Sequence, residues 1–132
     1  MTRVNVGINP EELCDKHLVA EYREILRIPN NLKNRVGRPP KKFTLGTGHV
    51  LWCTDHMEHM EYRFFLIKEE ILWRGFTSNK FWHGSVPDDQ FDRILTNRDL
   101  EEARELLKER IKIRLPKNAK WTKSKRPDWL KE

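Results

Sequence analysis

The chain of 132 residues carries 26 Lys and Arg against 20 Asp and Glu, giving a formal charge of +6 and a pI near 9.5. With 37% hydrophobic residues it suits one small domain, residues 1–132, with a thin core rather than two domains. No apolar run long enough to span a bilayer and no apolar leader stretch is present, and two cysteines, Cys14 and Cys53, do not make a disulfide framework, so the expectation is a protein neither membrane-spanning nor evidently secreted, in a reducing, cytoplasmic setting.

A basic balance makes polyanions the first partners to consider, and its distribution sharpens this. Between Ile25 and Lys42 there are six Lys or Arg and no acid, and between Lys117 and Arg126 five more, again with no acid. The acids gather between Asp55 and Glu70 and between Asp88 and Glu109. Two basic blocks on a mixed-charge body describe a molecule with one anion-binding face.

In chain order, Val4 to Val6 reads as a short extended piece ending in a turn at Gly7. Methionine before a small residue is normally removed, which would leave Thr2 as the N-terminus beside Arg3. An α-amine has a reference pKa of roughly 7.7–8.0, so part of it is neutral at physiological pH and available as a nucleophile. The plainer expectation for such a terminus is fraying.

Pro10, followed by Glu11 and Glu12, signals a helix start. The helix is expected to run to about Ile28, because Pro29 disfavours helix in the residue before it. At helical spacing, Cys14, Leu18, Val19, Tyr22, Ile25 and Leu26 share an apolar arc. Lys16, His17, Ala20, Arg23, Glu24 and Arg27 share the opposite one. That polar arc is either a solvated face or a ligand-binding wall, in which the small Ala20 would let a ligand approach. Asn30 to Lys42 reads as a basic loop, its Gly37-Arg38-Pro39-Pro40 a Pro/Gly linker.

From Phe43 to Phe76, Val50, Cys53, Met57, Met60, Phe64, Ile67 and Ile71 recur at spacings of three and four, which predicts one long helix with a buried stripe. Thr47 is placed to cap it and Gly75 to end it. Thr77 to Pro87 is an irregular aromatic loop, and Asp88 to Leu95 a possible short helix. Thr96-Asn97-Arg98-Asp99 forms a capping-box pattern ahead of a third helix, whose Leu100, Ala103, Leu107 and Ile111 repeat at helical spacing until Pro116 stops it. Lys117 to Glu132 is a basic tail with Trp121 and Trp129. The expected architecture is all-α: a single compact domain of three main helices with an extended N-terminal segment and irregular basic loops.

Zinc-ligand residue types are present at Cys14, His17, His49, Cys53, His56 and His59. However, Cys53 falls on the apolar stripe and no paired CxxC knuckle exists, so no metal and no other cofactor is expected. No Gly-rich phosphate loop occurs, which removes the common nucleotide-binding classes. Glu24 stands out as an acid set among cations.

Thr2-Arg3-x-Asn5, followed by His17-Leu18-x-Ala20-Glu21-Tyr22-Arg23-Glu24-x-x-Arg27, resembles the pyrimidine-dimer DNA glycosylases of phages and some bacteria. Phe43-x-Leu45-Gly46-x-Gly48-His49-Val50, Arg74-Gly75-Phe76 and Arg126-Pro127-x-Trp129 extend the resemblance over nearly the whole chain in the same order. It implies a metal-independent DNA-repair enzyme that cleaves the glycosidic bond of an ultraviolet-induced cyclobutane dimer and then breaks the strand at the abasic site. By similarity, the Thr2 α-amine attacks the sugar C1′ and forms an imine, with Glu24 as the catalytic carboxylate. Arg3, Arg23 and Arg27 match phosphate-holding residues, and His17 lies in the same motif. Lys16 stands where some relatives carry glutamine and would add a phosphate contact, and Arg110 and Arg114 are further phosphate contacts by rough alignment. The implied partner is double-stranded DNA with dimers or abasic sites, met by a monomer. Leu130-Lys131-Glu132 replaces an aromatic run of the family. The alternative from another class is a non-catalytic basic DNA-binding module using the same helix face.

Overall fold

The computed structural model describes residues 2–33, 37–84 and 95–130. Among these the regular structure is helical without strands: α1 (Asp15–Glu24), α2 (Arg27–Lys33), α3 (His49–Thr54), α4 (Met57–Trp73) and α5 (Asn97–Arg114). Single 3-10 turns lie at Pro10–Glu12, Gly46–Gly48 and Asp128–Leu130. The all-α expectation holds, but the first two of its three helices are each broken.

Pro10 starts only a 3-10 turn, after which Leu13 and Cys14 are extended. The extended pair lets both side chains bury, and the Asp15 N–H donates to the Lys120 carbonyl at 2.7 Å. A second break follows at Ile25 and Leu26. Pro29 has no N–H to give, and its ring would clash with the carbonyl four residues back, so α1 cannot run through it. A proline is tolerated in a first turn, and the chain restarts as α2 with Pro29 there. Asn30 to Lys33 are therefore helical rather than loop.

The long second helix is divided at Asp55 and His56, where His56 leaves helical geometry (φ −136°, ψ 51°). Thr54 Oγ1 bonds the Leu51 carbonyl at 2.6 Å, a side-chain bond that competes with the helical ladder. The apolar stripe survives the break: Cys53, Met57, Met60, Phe64, Ile67 and Ile71 are buried, with Val50 partly so. α4 closes with a Schellman motif, in which the Phe76 N–H bonds the Ile71 carbonyl and the Gly75 N–H that of Leu72, Gly75 having φ +87°. α5 carries the expected capping box of Thr96 and Asp99 and ends at Arg114, ahead of Pro116. The possible helix at Asp88 to Leu95 falls almost wholly outside the described residues.

α1 packs on α4, with Tyr22 stacked on Phe64 at 5.7 Å between centroids, and α2 packs on α3. α5 adds Ala103, Leu107 and Ile111 to the core. The N-terminal segment is also core: Val4, Val6 and Ile8 have no exposed surface. At about 1.5–3 kcal/mol for each buried aliphatic side chain, an upper figure, this end of the chain is anchored rather than frayed.

A buried ion pair reinforces the anchor. Glu21 of α1, absent from both sequence-predicted arcs, accepts from Arg63 of α4 at 2.5 Å (Nε) and 3.1 Å (Nη2), and from Asn5 Nδ2 at 2.6 Å. Arg63 Nη1 also donates to the Ile8 carbonyl at 2.7 Å. Arg104 of α5 holds the Gly7 carbonyl at 3.1 Å while paired with Glu12. The basic tail is fixed through Glu12 as well: Trp121 Nε1 donates to its carbonyl and Trp129 Nε1 to its carboxylate. No helix among the described residues is long and apolar enough to cross a membrane.

Candidate active site

The anchored N-terminal segment delivers Thr2 and Arg3 to the wall of a cleft of about 360 Å³. α1 contributes His17, Ala20 and Glu24, spaced three and four apart so that they stand in a row on one helix face. Leu45, Gly46 and His49 come from the 3-10 turn and the start of α3. Gly46 sits at φ +78°, a left-handed turn that a side chain would strain. Arg110 and Arg114, one turn apart at the end of α5, close the far side.

Of the residues singled out from the sequence, Thr2, Arg3, His17, Glu24, Arg110 and Arg114 line this one cleft. Arg27 reaches its rim, with Nη1 3.5 Å from Thr2 Oγ1. Lys16 and Arg23 project as exposed side chains of α1 and do not line it. The Arg126-Pro127-x-Trp129 motif does not line it either. Arg126 donates to the Leu130 carbonyl and lies over the Trp121 ring, and Trp129 is held by Glu12.

Three guanidinium groups face the cleft with few counter-charges. Burial, then the facing Arg114 and Arg110, hold the Arg3 guanidinium below its ordinary pKa, with Glu21 and Glu24 opposing. Glu21 is committed to Arg63. The surplus positive field is what a phosphate would relieve. Burial first, then Arg3, also lowers the His17 pKa, so this imidazole is neutral at neutral pH. A smaller adjoining space of about 40 Å³ lies behind the row, lined by Arg3, Asn5, His17, Ala20, Glu21 and Glu24.

Four of the six residues considered as metal ligands are engaged by other groups or buried. His49 bonds Val4 and Thr44, His56 lies against Trp52 at 4.3 Å between centroids, and the two thiols are buried. Among the described residues no group of three His, Cys, Asp or Glu is arranged to hold a metal ion.

The family model described as pyrimidine dimer DNA glycosylase matches residues 1–84, more than half of the chain. The chain belongs to that family. It is therefore of a class of DNA-repair glycosylases whose substrate is DNA carrying pyrimidine dimers. The match takes in the N-terminal segment and α1 to α4, hence eight of the ten cleft residues of this glycosylase, counting from Thr2 to His49. Arg110 and Arg114 lie beyond it. Sequence reasoning missed His49 as a cleft residue and Glu21, Asn5 and Arg63 as its support. Their signal is a polar residue at a buried position, readable only once partners distant in the chain are known.

Proposed function

We propose that this protein is a bifunctional enzyme, a pyrimidine-dimer DNA glycosylase and abasic-site lyase, in which the α-amine of Thr2 is the nucleophile after removal of Met1. The observation that carries the reading is the meeting of Thr2, Glu24 and three arginines in one cleft. In this mechanism the neutral amine attacks C1′ of the 5′ nucleotide of the dimer, and the glycosidic C–N bond breaks with its electron pair leaving on the base. The sugar ring opens to an imine between Thr2 and C1′. The Glu24 carboxylate favours the positive charge that develops on the sugar and persists on the protonated imine. It then accepts the C2′ proton, and the 3′ phosphate leaves by β-elimination.

The cations serve both binding and activation. Arg3, Arg110 and Arg114 hold phosphates flanking the lesion, and Arg27 and the exposed Arg23 and Lys16 extend that contact along the strand. Their positive field disfavours protonation of the Thr2 amine, while Glu24 favours it, which leaves a usable neutral fraction near pH 7. The target must leave the stack, a step made easier where a dimer already disturbs stacking.

Borohydride reduction during turnover on dimer-containing or abasic duplex is expected to trap a covalent adduct that maps to Thr2. Glu24→Gln is expected to bind dimer DNA nearly as the parent does and to lose strand cleavage. Absence of any trapped adduct with Met1-processed protein, together with binding indifferent to dimers, would instead describe a non-catalytic basic module.

A further inference from the structure

His49 is 2% exposed and both of its ring nitrogens are committed. Nε2 lies 2.9 Å from the Val4 backbone nitrogen and Nδ1 lies 2.9 Å from the Thr44 carbonyl oxygen. Each partner works one way only. A backbone N–H can only donate and a carbonyl can only accept, so Nδ1 carries the proton and Nε2 receives the Val4 N–H. The ring is also clamped, edge to face against Phe43 at 5.4 Å. Val4 itself has no exposed surface, so its N–H has no water to turn to if His49 lets go. Thr2 is two residues away, and a displacement at Val4 carries the terminus with it.

We propose that His49 is a positioning residue, a latch whose Nε2 holds the Val4 N–H and thereby fixes the Thr2 amine at the cleft. The proposal rests on the reading of Thr2 as nucleophile for its catalytic consequence, though not for the latch itself. An imidazole suits the task because it bridges two backbone groups of opposite polarity, in residues 4 and 44, at one fixed spacing. Adding a proton at Nε2 would set a donor against a donor and release Val4. Arg3 on the held segment and Arg110 and Arg114 across the cleft resist that proton. Glu21 and Glu24 on α1 favour it, and the neighbouring Cys53 thiol and neutral His17 are uncharged. Burial, with Arg3, outweighs the Thr44 carbonyl and Glu21, so the ring protonates only below the ordinary histidine range. The latch is therefore closed at neutral pH and opens as the solution becomes acid.

Two variants separate the two hydrogen bonds. His49→Asn can still reach the Thr44 carbonyl but not Val4, whereas His49→Gln places an amide oxygen near the Nε2 position. The measurements are the single-turnover rate of borohydride trapping on abasic duplex, the DNA Kd, the pH profile of trapping, and hydrogen exchange at the Val4 amide. His49→Asn is expected to trap on the order of 100-fold more slowly with little change in Kd, and to lose Val4 amide protection. His49→Gln is expected to recover most of that loss and to lose the acid-side fall that His49 gives the parent. Trapping by His49→Asn as fast as the parent, a Kd that weakens in step with the rate, or a Val4 amide still protected would overturn the latch. If the parent gives no adduct, the nucleophile assignment falls, while Val4 protection and its loss on acidification still decide the latch. The same titration of the parent serves if His49→Asn does not fold.

Discussion

The buried pair of Glu21 and Arg63 gives the sharpest test of what holds the N-terminal segment. Their side chains are 1% and 5% exposed, so either charge left alone is a desolvated ion. Removing one member of such a pair costs about 3–5 kcal/mol. Arg63→Met does more: it also orphans the Ile8 carbonyl, adding about 1–3 kcal/mol. Glu21→Gln leaves a neutral acceptor for Asn5 and belongs at the lower end. With a urea m-value of about 1.5 kcal/mol/M, a loss of about 4 kcal/mol lowers the unfolding midpoint by about 2.5 M. The double variant Glu21→Leu, Arg63→Met removes both charges and is expected to be less destabilised than the sum of single variants at the two positions. Its trapping rate should stay low, because the Asn5 side chain and the Ile8 carbonyl have lost their anchors. Urea titrations followed by circular dichroism, beside borohydride trapping, supply both readouts. A midpoint shift under about 0.5 M for Arg63→Met, or a fully additive double variant, would refute the reasoning.

Three further outcomes follow from other contacts. Gly7→Ala places a Cβ 2.5 Å from the Leu100 carbonyl at a backbone φ of +84°; it is expected to cost about 1–3 kcal/mol and lower Tm by at least about 5 °C, and an unchanged melt would contradict the close approach of this turn to α5. Burial, then Arg63 and His56, push the His59 pKa from 6.5 down to about 4. The unfolded chain therefore takes the proton first, and stability that is full above pH 6.5 is lost as pH falls towards 4. His59→Gln should flatten that part of the acid limb in urea midpoints measured across it, and an identical limb would reject the assignment. Arg114→Ala should reduce the slope of log K against log salt for duplex binding by about 0.9, one phosphate contact. Arg98, 86% exposed and paired with Glu102, is the control whose replacement should leave the slope alone, and equal slopes for both would remove Arg114 from the DNA face.

What could be read in the sequence is what depends on neighbours within a few residues. The spacing of Met57, Met60, Phe64, Ile67 and Ile71 foretells a buried stripe, and Thr96 with Asp99 foretells a cap, because both are local patterns. The i,i+4 spacing of Arg110 and Arg114 puts them on one face of their helix but does not show where that face looks. The breaks at Cys14 and His56 do not show, since a four-residue step from Cys53 to Met57 keeps the helical period across the gap. The first break is stabilised by a carbonyl at Lys120, over a hundred residues away. Glu21 reads as one more polar residue of an amphipathic helix until Arg63 and Asn5 are placed beside it. His49 carries residue chemistry that suggests a metal, and only geometry reveals that backbone groups occupy both nitrogens.

A reactive chain terminus, as proposed for Thr2, poses a physical problem, because the first residues of a chain ordinarily fray and a frayed amine cannot hold a near-attack geometry. The terminal amine itself cannot be tied down without being consumed. The anchors must therefore sit just behind it, and here they do. His49 from α3 holds the Val4 N–H, Glu21 from α1 the Asn5 side chain, Arg104 from α5 the Gly7 carbonyl and Arg63 from α4 the Ile8 carbonyl. α2 contributes its first residue, Arg27, to the Thr2 hydroxyl at 3.5 Å. Each of the five described helices thus supplies one polar contact to the same short segment, and three of these side chains, His49, Glu21 and Arg63, are themselves buried. The Glu21 and Arg63 contacts fail together, because the two side chains form one buried ion pair, whereas loosening His49, Arg104 or Arg27 leaves the rest in place. At those three sites the rate should suffer before the fold does, most of all at His49, the anchor nearest the amine that touches the backbone.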